Sequence, residues 1–294
     1  MPGATRPLVT TTDRIKEIPL SIAQTLKHYT CHGLTERLKD LFSEVGLDRA
    51  PLPLEKLAPL DQFHSGGLAA TVELANELGL VAEDRVLDIG SGLGGPSRYI
   101  AATYGCAVEG VDLSPSFVEA ANFLAERTAL SQRVKYTCAD ALSVPFDPDT
   151  FDVIWTQHVA MNIADRAAFY GEAFRLLRPN GRFAMFDVVE VSNEPLHYPV
   201  PWARESRSSF PITAKKTREL LENRGFQITS WSDRTEASLA WFAEREKSRA
   251  YDSRDQALGL QFVMGPDFPH MVKTLVKNLR EGRVAIVQAI AQKP

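Results

Sequence analysis

From Arg85 to Lys293 the chain alternates short apolar, β-branched runs with longer stretches of helical spacing, and this alternation narrows its fold more than any other feature. The runs are RVLDIGS (85–91), AVEGVDLS (107–114), VKYTCAD (134–140), FDVIWTQ (151–157), GRFAMFDVV (181–189), FQITSWSD (226–233) and RVAIVQAIAQK (283–293). Helices are predicted between them up to about Tyr104, over 115–128, from Asp165 to Leu177 and over about 213–224. Short strand-to-helix connections impose right-handed crossovers, which build a mostly parallel, doubly wound sheet with helices on both faces. The early runs are apolar throughout, as strands covered on both faces must be.

The remaining segments fit around that core. Residues 1–12 are polar and predicted to be an unstructured tail. Apolar residues recur at helical spacing from Ser21 to Val45, and Leu68, Val72, Leu74, Ala75 and Leu78 share one face of a helix ending at Gly79. The predicted plan is a tail and helical cap over 1–80, then an α/β core over 81–294. Two inserts interrupt the core: 190–212, with four prolines, and 235–281, which is helical in pattern; either is placed to close over a site.

Composition excludes several function classes. A net charge of −4 without a run of like charges leaves no electrostatic footprint for nucleic acid. No apolar run is long enough to span a membrane, and the N-terminus lacks a secretory h-region, so a soluble cytoplasmic protein is expected. Three cysteines, Cys31, Cys106 and Cys138, form no disulfide or zinc pattern, and Cys106 and Cys138 read as small core residues. No metal-ligand spacing is visible, so none is expected to bind. Oligomeric state has no signature in the sequence.

The candidate site begins after the first strand. Gly90, Gly92 and Gly95 spell G-x-G-x-x-G at a strand-to-helix turn, where backbone approaches a ligand and a helix N-terminus offers unpaired N–H groups. Asp112 ends the second strand, in the place where a carboxylate accepts from both ribose hydroxyls; Ser114 is available to cap the following helix instead. Asp140 follows the third strand, where a carboxylate suits an exocyclic adenine amine. Asp88, two residues before the first glycine, separates the candidate ligands. A carboxylate there repels the phosphates of a dinucleotide and favours a cationic group. Adenine, ribose and a positively charged tail without phosphate together describe S-adenosylmethionine.

VLDIGSGLGGPSRYIA (86–101), VEGVDLS, CADALSVPFDPDTFDVIWTQHVAMNI and AFRLLRPNGRFAMFDVV resemble the successive motifs of class I S-adenosylmethionine-dependent methyltransferases over roughly residues 82–190. The resemblance implies a Rossmann-like seven-stranded sheet whose last strand is antiparallel. It also implies a glycine loop (Gly90, Gly92, Gly94) along the methionine and ribose, Asp112 on the ribose hydroxyls, Leu113 packed on adenine, and Asp140 with the Ala141 backbone at the adenine edge. The lead-in LAPLDQFHSGG (57–67) and QHVAMNI (157–163) resemble small-molecule members: sarcosine/dimethylglycine N-methyltransferases and tocopherol, sterol and quinone methyltransferases.

Methyl transfer from a sulfonium is an in-line displacement, so the chain must chiefly align nucleophile, carbon and sulfur. A neutral amine needs no strong base, and N-methylation is slightly preferred over O- or C-methylation. His158 and His64 are the candidate proton acceptors. Gln157 and Gln62 are candidate cofactor or substrate hydrogen-bond partners, and Tyr29 a residue that folds over the cofactor. In the 190–212 insert, Tyr198 and Trp202 offer aromatic walls and Arg204 a clamp for a substrate carboxylate, with a solvated loop arginine as the plainer alternative. The competing reading is an NAD-dependent oxidoreductase, which the glycine spacing and Asp112 allow and Asp88 opposes. A non-catalytic nucleoside-binding module is a third.

Overall fold

A computed structural model describes residues 20–29, 31–249 and 258–294; the tail expected over 1–12 lies outside them. The seven predicted strands form one sheet: β1 (Arg85–Ile89), β2 (Ala107–Asp112), β3 (Val134–Cys138), β4 (Phe151–Gln157), β5 (Leu177–Glu190), β6 (Gln227–Asp233) and β7 (Val284–Gln292). Their order is β3-β2-β1-β4-β5-β7-β6. The first five pair in parallel, and β7 runs antiparallel between β5 and β6. This is the seven-stranded sheet with an antiparallel last strand that the resemblance implies. Strand order reverses between β1 and β4, which opens a crevice at their carboxyl ends.

Burial follows from that order. Four of the five residues of β1 are buried, from Val86 to Ile89, while edge strand β3 buries only Val134 and Tyr136. The edge position corrects one expectation: Cys106 is buried, but Cys138 is exposed. Strand β7 sits inside the sheet and buries every residue from Val284 to Ala291, Gln288 included.

In chain order, helices α1 (Leu20–Tyr29), α2 (Leu34–Glu44), α3 (Leu54–Asp61) and α4 (Gly67–Leu78) precede the sheet. Helix α4 ends where predicted, with Gly79 left-handed at φ 61°. Its buried face is Gly67, Ala70, Thr71, Leu74, Ala75 and Leu78; Leu68 and Val72 are only half-buried. Helices α5 (Gly95–Tyr104) and α6 (Pro115–Arg127) follow β1 and β2. Leu34, Leu38 and Phe42 of α2 pack with Phe117, Ala120 and Leu124 of α6, which seats the N-terminal helices beside the crevice. Helices α7 (Arg166–Leu176) and α8 (Ala214–Asn223) follow β4 and β5, each capped by a side chain: Asp165 accepts from Ala168 N–H, and Thr213 from Lys216 N–H. The 235–281 insert supplies α9 (Thr235–Arg249), α10 (Leu260–Met264) and α11 (Phe268–Arg280).

The insert at 190–212 is tied down over the crevice. Phe210 N–H donates to Met161 C=O at 2.9 Å. Buried Arg166 donates to Phe210 C=O, Ile163 C=O and the Tyr170 hydroxyl, bridging the insert to the segment after β4. His28 of α1 meets Pro201 C=O at 2.8 Å, so cap and insert touch directly above the sheet.

Candidate active site

The glycine turn is shaped by its neighbours as much as by any ligand. Gly90 has φ 74°, and a Cβ there would lie 2.3 Å from Val159. Gly94 has φ 76°, and its Cβ would lie 2.1 Å from the Tyr136 hydroxyl, which itself donates to Gly94 C=O at 3.0 Å. Gly92 alone of the three faces open space, with only Phe63 near, at 3.8 Å. Gly95 lets α3 approach: a Cβ there would meet Asp61 backbone oxygen at 2.5 Å. Beside it, Arg98 and Asp61 form a fully buried ion pair at 2.7 Å, and Arg98 also donates to Leu93 C=O. Burial pushes Asp61 up to about 6 against the pull of Arg98.

Four of the turn's amides are already bonded. Gly90 and Ser91 N–H both donate to Val111 C=O, Gly94 N–H donates to Ser91 C=O, and Gly92 N–H donates to Asp112 Oδ2 at 2.9 Å. They are therefore committed within the protein rather than presented to a pyrophosphate. Ser114 caps α6 by accepting from Phe117 N–H, which leaves Asp112 facing the crevice. Asp112 Oδ1 accepts from Ser114 N–H at 2.9 Å, and burial raises its pKa. Each carboxylate oxygen retains a second lone pair for a ligand hydroxyl.

A cavity of about 420 Å³ occupies the crevice. Gly90, Gly92, Asp112, Leu113, Asp140, Ala141, Gln157, His158, Tyr29 and Trp202 all line it, so most of the predicted site residues converge. Its lining includes three carboxylates (Asp112, Asp140, Asp165) and, among the described residues, no lysine or arginine. Aromatic rings wall one side: Phe117 lies 6.0 Å from Tyr29 and 5.5 Å from Phe63, centroid to centroid. Tyr29 donates to Asn162 Oδ1, and burial pushes its phenol well above the usual range.

Gln157 carries the most informative polar group. Its Oε1 accepts from Trp155 Nε1 at 3.0 Å and from Thr71 Oγ1 at 3.2 Å. An indole nitrogen can only donate, so the amide orientation is fixed and Nε2 is the other group. Nε2 is buried without a partner, a donor awaiting an acceptor atom.

Other predicted residues fall outside this cavity. Asp88 is buried behind the turn and accepts from Ser97 Oγ at 2.5 Å. Burial, with the nearby Asp112 charge adding, lifts it to about 7, so it is no firm anion facing a ligand. Gly94 serves Tyr136 instead of the crevice. Tyr198 packs against the core, and Arg204 is an exposed partner of Asp267 at 3.0 Å, the plainer of its two readings. Gln62 and His64 line a second, adjoining cavity of about 970 Å³. They share a network with Thr71: Thr71 Oγ1 lies 2.8 Å from Gln62 Oε1, and His64 Nε2 lies 3.0 Å from Gln62 and 3.1 Å from Thr71.

His158 stands between the cavities and lines both. It takes a left-handed backbone (φ 54°), stacks on Phe186 and lies 3.3 Å from Ser65 Oγ. Burial lowers His158 to about 3 and His64 to about 4, so both imidazoles are neutral near pH 7 and hold a proton poorly. They are suited to hydrogen bonding rather than to storing a proton. Sequence reasoning did not single out Phe63, Phe117, Asn162 or the Arg98–Asp61 pair. Phe63, Asp61, Arg98 and Asn162 all lie within the quoted motifs, but their roles, like that of Phe117, come from contacts distant along the chain.

Comparison with known proteins agrees with this geometry. Residues 87–185 match the family described as a methyltransferase domain. It is 27% identical over 178 residues to sterol 24-C-methyltransferase of Kluyveromyces lactis, covering 58% of this chain and 48% of that protein. It is 30% identical over 195 residues to phosphoethanolamine N-methyltransferase 1 of Triticum aestivum, covering 66% and 38%. The chain thus spans less than half the length of these curated relatives. Geranyl diphosphate C-methyltransferase of Streptomyces coelicolor A3(2), solved with S-adenosyl-L-homocysteine, shares the fold with a TM-score of 0.64 at 17% identity, over 94% of this chain and 99% of that one.

Proposed function

We propose that the chain is an S-adenosylmethionine-dependent methyltransferase acting on a small molecule. The observation that carries the reading is the 420 Å³ cavity at the strand-order reversal, acidic, walled by aromatic rings and without a basic side chain among the described residues. Such a lining suits a cationic nucleoside and opposes a dinucleotide pyrophosphate. Asp112 would accept from the ribose hydroxyls, Leu113 would pack on adenine, and Asp140 with the Ala141 backbone would meet the adenine edge. Gly92 gives the ligand space, and Gln157 Nε2 supplies the unpaired donor.

When bound, the cofactor supplies an electrophilic methyl carbon on a sulfonium. The protein's part is alignment and exclusion of water, effects that together contribute roughly 7–11 kcal/mol in well-oriented systems. In this reading 1–80 is the cap segment and 81–294 the core, and the described helices α1 to α4 would roof the site together with the two inserts. His158 would hold the acceptor by a hydrogen bond; His64, fixed in its network, would position the wall beside it. The described helices include none long and apolar enough to cross a membrane. With three unpaired cysteines, this supports a cytoplasmic location.

Calorimetry tests the reading against its competitor. S-adenosylhomocysteine should bind at micromolar concentration and NADH should not; binding of NADH alone would favour the oxidoreductase.

A further inference from the structure

The second cavity, about 970 Å³, joins the first at four residues that line both: Phe63, His158, Pro201 and Phe268. One wall comes from the segment before β1, through Pro59, Phe63 and Leu68. The opposite wall comes from α9 and α11, through Trp241, Phe242, Val272 and Val276. Gly67 admits Trp241 to this wall: a Cβ there would lie 3.0 Å from the indole. Of the charged side chains in the lining, Glu55, Glu246, Lys273, Lys277, Arg280 and Glu281 are exposed, and half-buried Arg245 stacks on the Trp241 ring at 5.0 Å.

Pockets for drug-sized ligands run from roughly 300 to 1,000 Å³, and this one lies at the upper end. A small polar acceptor such as an amino acid would leave most of it filled with water against an apolar wall. Water would then stand at the neck, where an in-line displacement needs it excluded. A bulky apolar acceptor fills the volume, covers the wall and leaves only its nucleophile at the neck. We propose that the methyl acceptor is a bulky, predominantly apolar molecule that seats in this cavity and projects its nucleophilic atom past Phe63, His158, Pro201 and Phe268. This rests on assigning the smaller cavity to the cofactor, and it turns the preference away from the small amino-acid amines of the sarcosine type.

The experiment uses the fluorescent probe 1-anilinonaphthalene-8-sulfonate on the full chain, with and without saturating S-adenosylhomocysteine. Leu68→Trp and Val276→Trp each fill the cavity from opposite walls, so one misfolded variant leaves the other to decide. The wild type should bind the probe one to one, each variant at least tenfold more weakly, with S-adenosylhomocysteine affinity unchanged. N-methyl-1-naphthalenemethylamine should displace the probe at least a hundredfold better than sarcosine, both being secondary amines. Equal probe affinity in wild type and variants, or equal displacement by the two amines, overturns the proposal. Loss of S-adenosylhomocysteine binding in the wild type overturns only the cofactor assignment, and the probe arm still decides the acceptor cavity.

Discussion

Replacing Asp112 by alanine removes a carboxylate that serves the fold and the ligand at once. On the protein side it accepts from Gly92 N–H and Ser114 N–H, both at 2.9 Å. These donors border a cavity that water can enter, so leaving them unpaired costs about 1–2 kcal/mol rather than the full penalty of buried groups. Part of that cost is returned, because burial already disfavours the charged form of Asp112. On the ligand side, two ribose hydroxyls would each lose a charge-assisted hydrogen bond of about 1.5–3 kcal/mol. Allowing for non-additivity, a loss of about 3–4 kcal/mol corresponds to roughly a hundred- to thousandfold in Kd. Asp112→Asn keeps one acceptor oxygen and should fall between. Isothermal titration with S-adenosylhomocysteine reads the binding loss, and thermal unfolding checks that the variant is folded. A folded Asp112→Ala protein whose affinity stays within threefold of wild type would refute the reasoning.

Further outcomes follow from the same geometry. Asp88 has a raised pKa of about 7, so its native state binds a proton more tightly than the unfolded chain. That stability is present below the unfolded value near 4 and is lost as pH rises through about 7, up to roughly 4 kcal/mol. Asp88→Asn should therefore gain stability over wild type at pH 8 but not at pH 4, as chemical denaturation at both pH values would read. Gly94→Ala drives a methyl group into Tyr136 and should cost about 2 kcal/mol or more in unfolding free energy. Gly92→Ala has room and should cost only about 1 kcal/mol of backbone strain while weakening S-adenosylhomocysteine. Arg204→Ala should change stability by less than about 0.5 kcal/mol and leave ligand binding unaltered, because its pair with Asp267 is solvent-exposed.

The strands, the glycine turn and the acids at strand ends were legible because they depend on neighbours along the chain. Gly90, Asp112 and Asp140 converge because a parallel sheet brings its carboxyl ends to one edge. The reason for Asp88 was not legible, since Ser97 takes its carboxylate from the next helix, behind the turn. Gly94 belongs to the same class: its constraint is Tyr136, on a strand two crossovers away. In the 190–212 insert, Trp202 faces the cavity while Tyr198 and Arg204 do not, a distinction that no local period encodes in an irregular segment. The histidines were found by type and position. Their neutrality comes from burial, and for His158 from the neighbouring His64 as well, which only the packed structure supplies.

The most direct test is a crystal structure with S-adenosylhomocysteine bound. The account predicts the ribose on Asp112, the adenine beside Leu113 and Asp140, and the sulfur directed at the neck between Phe63, His158, Pro201 and Phe268. A nucleoside seated elsewhere, or a sulfur turned away from the larger cavity, would contradict it.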